Sequence, residues 1–136
     1  MQDRFKYRFF DAENEKMYDV KNICFVGEPT VTVAYKPVIK KAIYKGYLTQ
    51  CTGLKDVNGK LMYEGDIVKI WKFSKDLYGD DKRVIKWNDA RCGFRLYTID
   101  QYKRGIELCP QSMVNVTTIE VIGNIYENPE LSSEVE

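Results

Sequence analysis

Between Leu48 and Trp71 the chain reads Leu-Thr-Gln-Cys-Thr-Gly-Leu-Lys-Asp-Val-Asn-Gly-Lys-Leu-Met-Tyr-Glu-Gly-Asp-Ile-Val-Lys-Ile-Trp, and no other stretch constrains the fold as much. Asn58-Gly59 tolerates positive φ at both central positions of a tight turn, so the chain can reverse there at little cost. Glu64-Gly65-Asp66 breaks the pattern again and opens the run Ile67-Val68-Lys69-Ile70-Trp71. A turn that delivers such a β-branched run predicts the first long strand of a small barrel.

The flanking sequence repeats this grammar of short strands and turns. Arg4 to Phe10 alternates Phe5, Tyr7 and Phe9 against Lys6 and Arg8, the period of a half-buried strand. A polar reversal with its tip at Glu13-Asn14 leads to a return strand, Met17 to Val26, which Gly27-Glu28-Pro29 ends. Thr30 to Tyr35 follows with Val31, Val33 and Tyr35 on one face. Residues 36–47 have no clear period: Val38, Ile39, Ala42 and Ile43 suit a helix face, their β-branching argues against one, and the segment reads as an irregular insertion. Leu48 to Cys51 is extended again. Ser74 to Lys82 is a polar loop by composition. Arg83–Trp87 and Phe94–Ile99 form a second hairpin around Asn88–Gly93. Asp100 to Thr117 reads as loop with one short strand near Ile106–Leu108. Thr118 to Tyr126 is the last strand, with Ile119, Val121, Gly123 and Ile125 on one face and Gly123 marking a bulge or a close backbone approach. Asn128-Pro129-Glu130 predicts one short helical turn.

Many short strands and no long helix predict an all-β barrel or roll in one domain, residues 1–131, with an acidic tail over 132–136. Ten Tyr, six Phe and two Trp among 136 residues strengthen the sheet reading, because such side chains pack well on a pleated surface. The net charge of +1 is too small to mark the chain as a polyanion binder. Residues 1–75 carry 14 Lys/Arg against 9 Asp/Glu, or +5, and residues 76–136 carry 7 against 11, or −4. This reads as a mixed solvated surface, or as two unlike patches suited to self-association. No apolar run is long enough to span a membrane, and the N-terminus lacks the apolar core of a signal peptide. Cys24, Cys51, Cys92 and Cys109 form no Cys-x-x-Cys pair, so the expectation is reduced thiols acting as small core hydrophobes in an intracellular protein.

Four blocks resemble one family: Tyr7 to Asp19, Gln50 to Lys60 continuing through Tyr63-Glu64-Gly65-Asp66-Ile67-Val68, Trp87 to Leu96, and Ile119-Glu120-Val121-Ile122-Gly123-Asn124-Ile125-Tyr126-Glu127-Asn128-Pro129-Glu130-Leu131. Together they are similar to the YopX family encoded by phages and prophages, and they span most of the chain. The resemblance implies an SH3-like β-barrel or roll core, a bacterial cytoplasmic setting, and no assigned activity or site residue. Two departures are the insertion near 36–47 and Cys51, which stands where the pattern suggests an aromatic.

Chemistry is sparse. The chain contains no histidine, which removes the usual near-neutral base and the Ser-His and Cys-His pairs. Asp56-Val57-Asn58-Gly59-Lys60 resembles a calcium loop only superficially, since Lys60 and Ile67 stand where oxygen ligands belong. Asp66 reads as a structural acceptor for backbone amides at the strand entrance. No catalytic residue, cofactor or metal is therefore expected. One binding patch stands out: Lys36, Lys40, Lys41 and Lys45 interleave with Tyr35, Tyr44 and Tyr47. Such residues can neutralise phosphates and stack on unpaired bases of RNA or single-stranded DNA, and equally can protect an exposed sheet edge. The leading expectation is a non-enzymatic module for self-association or for docking on a host or phage protein, with nucleic-acid binding as the alternative.

Overall fold

The computed structural model describes residues 2–27, 30–34, 39–42, 46–70, 82–107, 111–113 and 118–133. Among the described residues ten strands form two antiparallel sheets. In chain order they are β1 Tyr7–Asp11, β2 Lys16–Cys24, β3 Thr30–Ala34, β4 Ile39–Ala42, β5 Gly46–Lys55, β6 Leu61–Tyr63, β7 Asp66–Ile70, β8 Lys82–Asn88, β9 Gly93–Thr98 and β10 Ile119–Asn124. The larger sheet has the order β4-β3-β2-β1-β5-β6 and the smaller β10-β7-β8-β9. A 3-10 turn (Gln2–Phe5) and two short helices, α1 (Ile99–Arg104) and α2 (Pro129–Ser133), complete the described elements. The all-β class holds. The expected closed SH3-like barrel does not: among the described residues both sheets are open.

The smaller sheet holds the core. Val68 and Ile70 of β7 pack with Ile85, Leu96 and Ile119, against Met62 from the larger sheet. On its other face Ile67 and Val84 pack with Ile99 of α1, Tyr102, Ile122, Ile125 and Leu131. A strand covered on both faces is a continuous apolar run rather than an alternating one, which explains Ile67-Val68-Lys69-Ile70. At five residues β7 is not the first long strand; β2 with nine and β5 with ten precede it. Trp71 and the loop expected over 74–82 lie outside the described residues, apart from Lys82 on β8.

Several expectations need correction. The period-two reading put Phe5, Tyr7 and Phe9 inward and Arg8 outward. Instead Phe5 sits in the 3-10 turn and is 63% exposed, with the Lys6 amide donating to the Asp3 carbonyl at 3.0 Å. Phe9 and Phe10 are both buried, and the Arg8 side chain is only 11% exposed. Part of the supposed irregular insertion is regular: β4 pairs antiparallel with β3, Val33 opposite Lys40, so the β-branched signal decides over the helical one there. Helix α1 replaces the start of the loop expected from Asp100; of the short strand expected near Ile106–Leu108, Ile106 and Glu107 are in no strand and Leu108 lies outside the described residues. Thr98 and Gln101 close a capping box and Gly105 ends the helix at φ +66°. Gly59 carries positive φ (+81°) and Asn58 does not; its amide donates to the Asp56 carbonyl at 3.0 Å, a turn followed by a left-handed glycine rather than the two-residue primed turn. Cys51 is buried as expected, but Cys24 and Cys92 are exposed, because β2 is largely solvated and Cys92 lies in the β8–β9 turn at φ +49°. Cys109 is outside the described residues.

Gly123 does mark a bulge, between Val121 and Gly123 where β10 pairs with β7. The extra residue switches the face: Ile119 and Val121 enter the first cluster, Ile122 and Ile125 the second. A Cβ at Gly123 would stand 2.6 Å from Asn128 Oδ1 and 2.8 Å from Leu131, so the bare backbone lets α2 close over β10. Helix α2 starts at Pro129 as expected. The Asn128 side chain, however, accepts from the Asn124 amide at 3.2 Å and so braces the preceding turn.

The two sheets are joined by buried polar groups. The Arg8 guanidinium on β1 pairs with the Asp66 carboxylate at the start of β7, and the other Asp66 oxygen accepts the Tyr63 amide at 2.8 Å. The guanidinium also lies 4.3 Å from the Tyr63 ring centroid, within cation–π range. Asp56 forms a second tie. Its Oδ1 accepts the Asn58 and Lys60 amides, both at 2.9 Å, and its Oδ2 accepts the Val121 amide of β10 at 2.9 Å. Those bonds occupy both oxygens and account for the calcium-like spacing as a turn. Burial pushes the Asp66 carboxyl above its ordinary value of 3.8, against the pull of Arg8 and the Tyr63 amide.

Replacing Arg8 with Met leaves the Asp66 charge buried and uncompensated. Urea denaturation near neutral pH should show a loss of about 3–5 kcal/mol, and the double variant Arg8→Met/Asp66→Asn should be more stable than Arg8→Met alone. Because the folded-state value is raised, the Asp66 contribution is full below the ordinary carboxylate value and declines as pH rises through the folded one. The stability advantage of the native chain over Asp66→Asn should therefore shrink with rising pH; growth instead would mean that the attraction of Arg8 outweighs burial.

Candidate functional site

Phe10 on β1 and Tyr47 on β5 are register partners in the larger sheet. The Tyr126 ring, just beyond β10, lies against both: its centroid is 5.5 Å from Phe10 and 5.0 Å from Tyr47, each pair stacked at 23°. Aromatic pairs at such separations attract beyond the area they bury. Gly65 makes room for Tyr126. It stands at φ +89°, and a Cβ there would lie 2.7 Å from the tyrosine ring. Its amide donates to the Ile85 carbonyl at 2.7 Å, and its carbonyl accepts the Ile125 amide at 2.9 Å. The Glu64-Gly65-Asp66 turn thus holds Tyr126 where the two sheets meet.

Tyr102 on α1 completes an open aromatic hollow of about 490 Å³, lined also by Ile125 and Ser132. Next to it, and sharing Phe10 and Tyr126 as walls, is a hollow of about 360 Å³ with Glu15, Glu127, Pro129 and Glu130 around it. Glu127 Oε1 accepts from Asn124 Nδ2 at 2.9 Å. A third hollow of about 410 Å³ lies elsewhere, between Lys6, Tyr7, Asp19, Val20, Lys21, Leu61 and Tyr63. Burial pushes the Tyr126 hydroxyl up to about 12, with Tyr102 and Glu64 adding to the rise. Burial likewise raises Tyr102, with Lys86 opposing.

Among its described residues nothing is arranged to activate a nucleophile. The buried Cys51 thiol is pushed up by desolvation, the opposite of what a thiolate nucleophile needs. Among the described residues no three His, Cys, Asp or Glu side chains converge as a metal site. Lys86 is held by Glu107 at 2.5 Å, and the hydroxyl of the buried Tyr97 on β9 donates to Glu107 Oε2 at 3.3 Å.

Of the predicted lysine–tyrosine patch, Tyr35, Lys36, Tyr44 and Lys45 lie outside the described residues. Lys40 and Lys41 stand on β4, opposite Val33 and Thr32, and among the described residues β4 is one of the two edge strands of its sheet. Tyr47, interleaved with them in sequence, belongs to the aromatic hollow instead. The sequence analysis missed that hollow because Phe10, Tyr47, Tyr102 and Tyr126 are far apart along the chain. The one local signal was the glycine of the Glu64-Gly65-Asp66 turn, which needs a close neighbour to explain it.

The family model described as "YopX protein" matches residues 6–132. The SPbeta prophage-derived uncharacterized protein YopX of Bacillus subtilis (strain 168) is 28% identical over 131 residues, covering 92% of this chain and 93% of that protein. The crystal structure of B. subtilis YopX matches with a TM-score of 0.59 at 27% identity, covering 94% of this chain and 98% of that one. Protein EF1440 from Enterococcus faecalis matches with a TM-score of 0.56 at 23% identity, covering 93% and 96%; at that identity the likeness speaks for the fold alone. No helix among the described residues is long and apolar enough to cross a membrane.

The raised Tyr126 value carries a sign. Its contribution to stability is full below the ordinary tyrosine value of 10.0 and is lost as pH rises toward about 12. Tyrosinate absorbance followed through an alkaline titration should show a late step near that value, and Tyr126→Phe should remove this step while leaving the earlier ones.

Proposed function

The chain belongs to the YopX family, and from that premise and the geometry of the sheet junction we propose that it is a non-enzymatic protein-interaction module. The observation that carries this reading is the aromatic hollow. Tyr47 remains 55% exposed although it stacks on Tyr126. A large aromatic held in place yet open to solvent suits an interface anchor, because little rotamer freedom is left to lose on binding. The absence of histidine from the sequence and the raised Cys51 thiol argue against nucleophilic catalysis. The prophage origin in the name of the B. subtilis relative supports a bacterial cytoplasmic setting, with a host protein, a phage protein or a second copy of the chain as partner.

The test pairs cross-linked capture from a bacterial host with light scattering of the purified chain. A bound protein, or a mass above one protomer, should appear with the native chain and be lost in Tyr47→Glu. A clean monomer at high concentration that retains nothing more than Tyr47→Glu retains would overturn the reading. Filter binding of single-stranded RNA and DNA at two salt concentrations gives the competing outcome: tight, salt-dependent retention would favour the nucleic-acid alternative.

A further inference from the structure

We propose that the aromatic hollow and the acidic hollow beside it form one groove, and that its occupant is a lysine- or arginine-rich segment of a partner protein. The inference rests on the interaction-module reading and specifies the partner's chemistry. The two hollows share Phe10 and Tyr126 as walls, so a bound chain passes from one to the other without leaving the surface. On one side it meets Tyr47, 55% exposed, whose ring attracts cations. On the other it meets the exposed side chains of Glu15, Glu127 and Glu130.

Charge complementarity decides the occupant. Among the described residues no lysine or arginine lines either hollow. Among the described residues, the two cations that act on these tyrosines from outside already have carboxylate partners: Arg8, which acts on Tyr126, is paired with Asp66, and Lys86, which acts on Tyr102, with Glu107. Glu64, which acts on both Tyr102 and Tyr126, adds negative potential. Three carboxylates around an aromatic floor repel phosphates and acidic peptides. They suit a guanidinium or ammonium that places its alkyl stem on the rings and its charge between the acids. The carboxylates alone would be an ordinary solvated face; it is the shared aromatic walls that make a seat for a long cationic side chain.

Fluorescence anisotropy of labelled oligo-arginine and oligo-lysine peptides against the full chain tests this. Binding should weaken about tenfold in Tyr47→Ala, the loss expected when a cation–π seat is removed. It should weaken comparably in Glu15→Gln/Glu127→Gln/Glu130→Gln, whose exposed changes keep the fold, and should fall with added salt. An oligo-glutamate peptide and a single-stranded RNA should not compete. Equal affinity in native chain and variants, or competition by RNA, would overturn the groove. Capture of a host protein that survives undiminished in the triple glutamine variant would also overturn the groove, while leaving the interaction module standing. Peptide-induced rise in mass to a dimer, with the basic peptide displaced by a second copy, would replace the foreign partner by self-association.

Discussion

A single buried carboxylate, Asp66, sets the relation of the two sheets. It sits at the first residue of β7, the strand with apolar clusters on both faces, so it cannot be withdrawn to solvent without withdrawing the core. Its charge is answered from the other sheet by Arg8, and its second oxygen by the Tyr63 amide. A hydrophobic contact would tolerate sliding between the sheets; a buried charge with a fixed partner does not, because misregistry leaves an ion in an apolar medium. The pair is therefore better understood as fixing the geometry of the junction than as a source of net stability. Asp56 acts similarly at the other end of β6, where one carboxylate closes its own turn and holds β10 by the Val121 amide.

Those ties explain why stretches far apart in sequence behave as one unit. The block around Asp56 and the Glu64-Gly65-Asp66 turn lies against the block that ends the chain. Asp56 bonds Val121, the Gly65 carbonyl accepts the Ile125 amide, and the missing Cβ of Gly65 receives the Tyr126 ring. Each block supplies what the other lacks: the first has acceptors and a bare backbone, the second has free amides and a large ring. Alanine at position 65 would oppose the packing on two counts, its φ and its clash with Tyr126.

Local grammar was legible in the sequence; side-chain destinations were not. The hairpin with its tip at Glu13-Asn14, the turn at Asn58-Gly59, the second hairpin, the bulge at Gly123 and the helical start at Pro129 each rest on backbone rules acting within a few residues. The errors share a cause as well. Arg8 was read as solvent-facing because charge in an alternating run normally marks the wet face, yet its partner lies 58 positions away. Ile125 was assigned to the face of Ile119 because alternation was carried through a bulge whose effect is to reset it. Helix α1 was overlooked although Thr98, Gln101 and Gly105 spell both of its ends, since the segment is too short for a hydrophobic period to emerge. Barrel closure was inferred from the number of strands, and strand count fixes closure only when register and tilt cooperate.

The same distance effect governs the candidate site. Phe10 and Tyr47 become neighbours only through β1–β5 pairing, and Tyr126 reaches them only because Gly65 leaves space. A site of this kind cannot be read as a motif, but it inherits the rigidity of the junction that creates it. Phe10 and Tyr47 are positioned by the larger sheet, and Tyr126 and Glu127 by the turn that Asn124 and Asn128 brace. The glycine that admits Tyr126 directly precedes Asp66, so the junction that fixes the core also carries the exposed aromatic surface. Disturbing the ion pair should therefore loosen the groove before it unfolds the chain, which ties recognition to the one contact that aligns the two sheets.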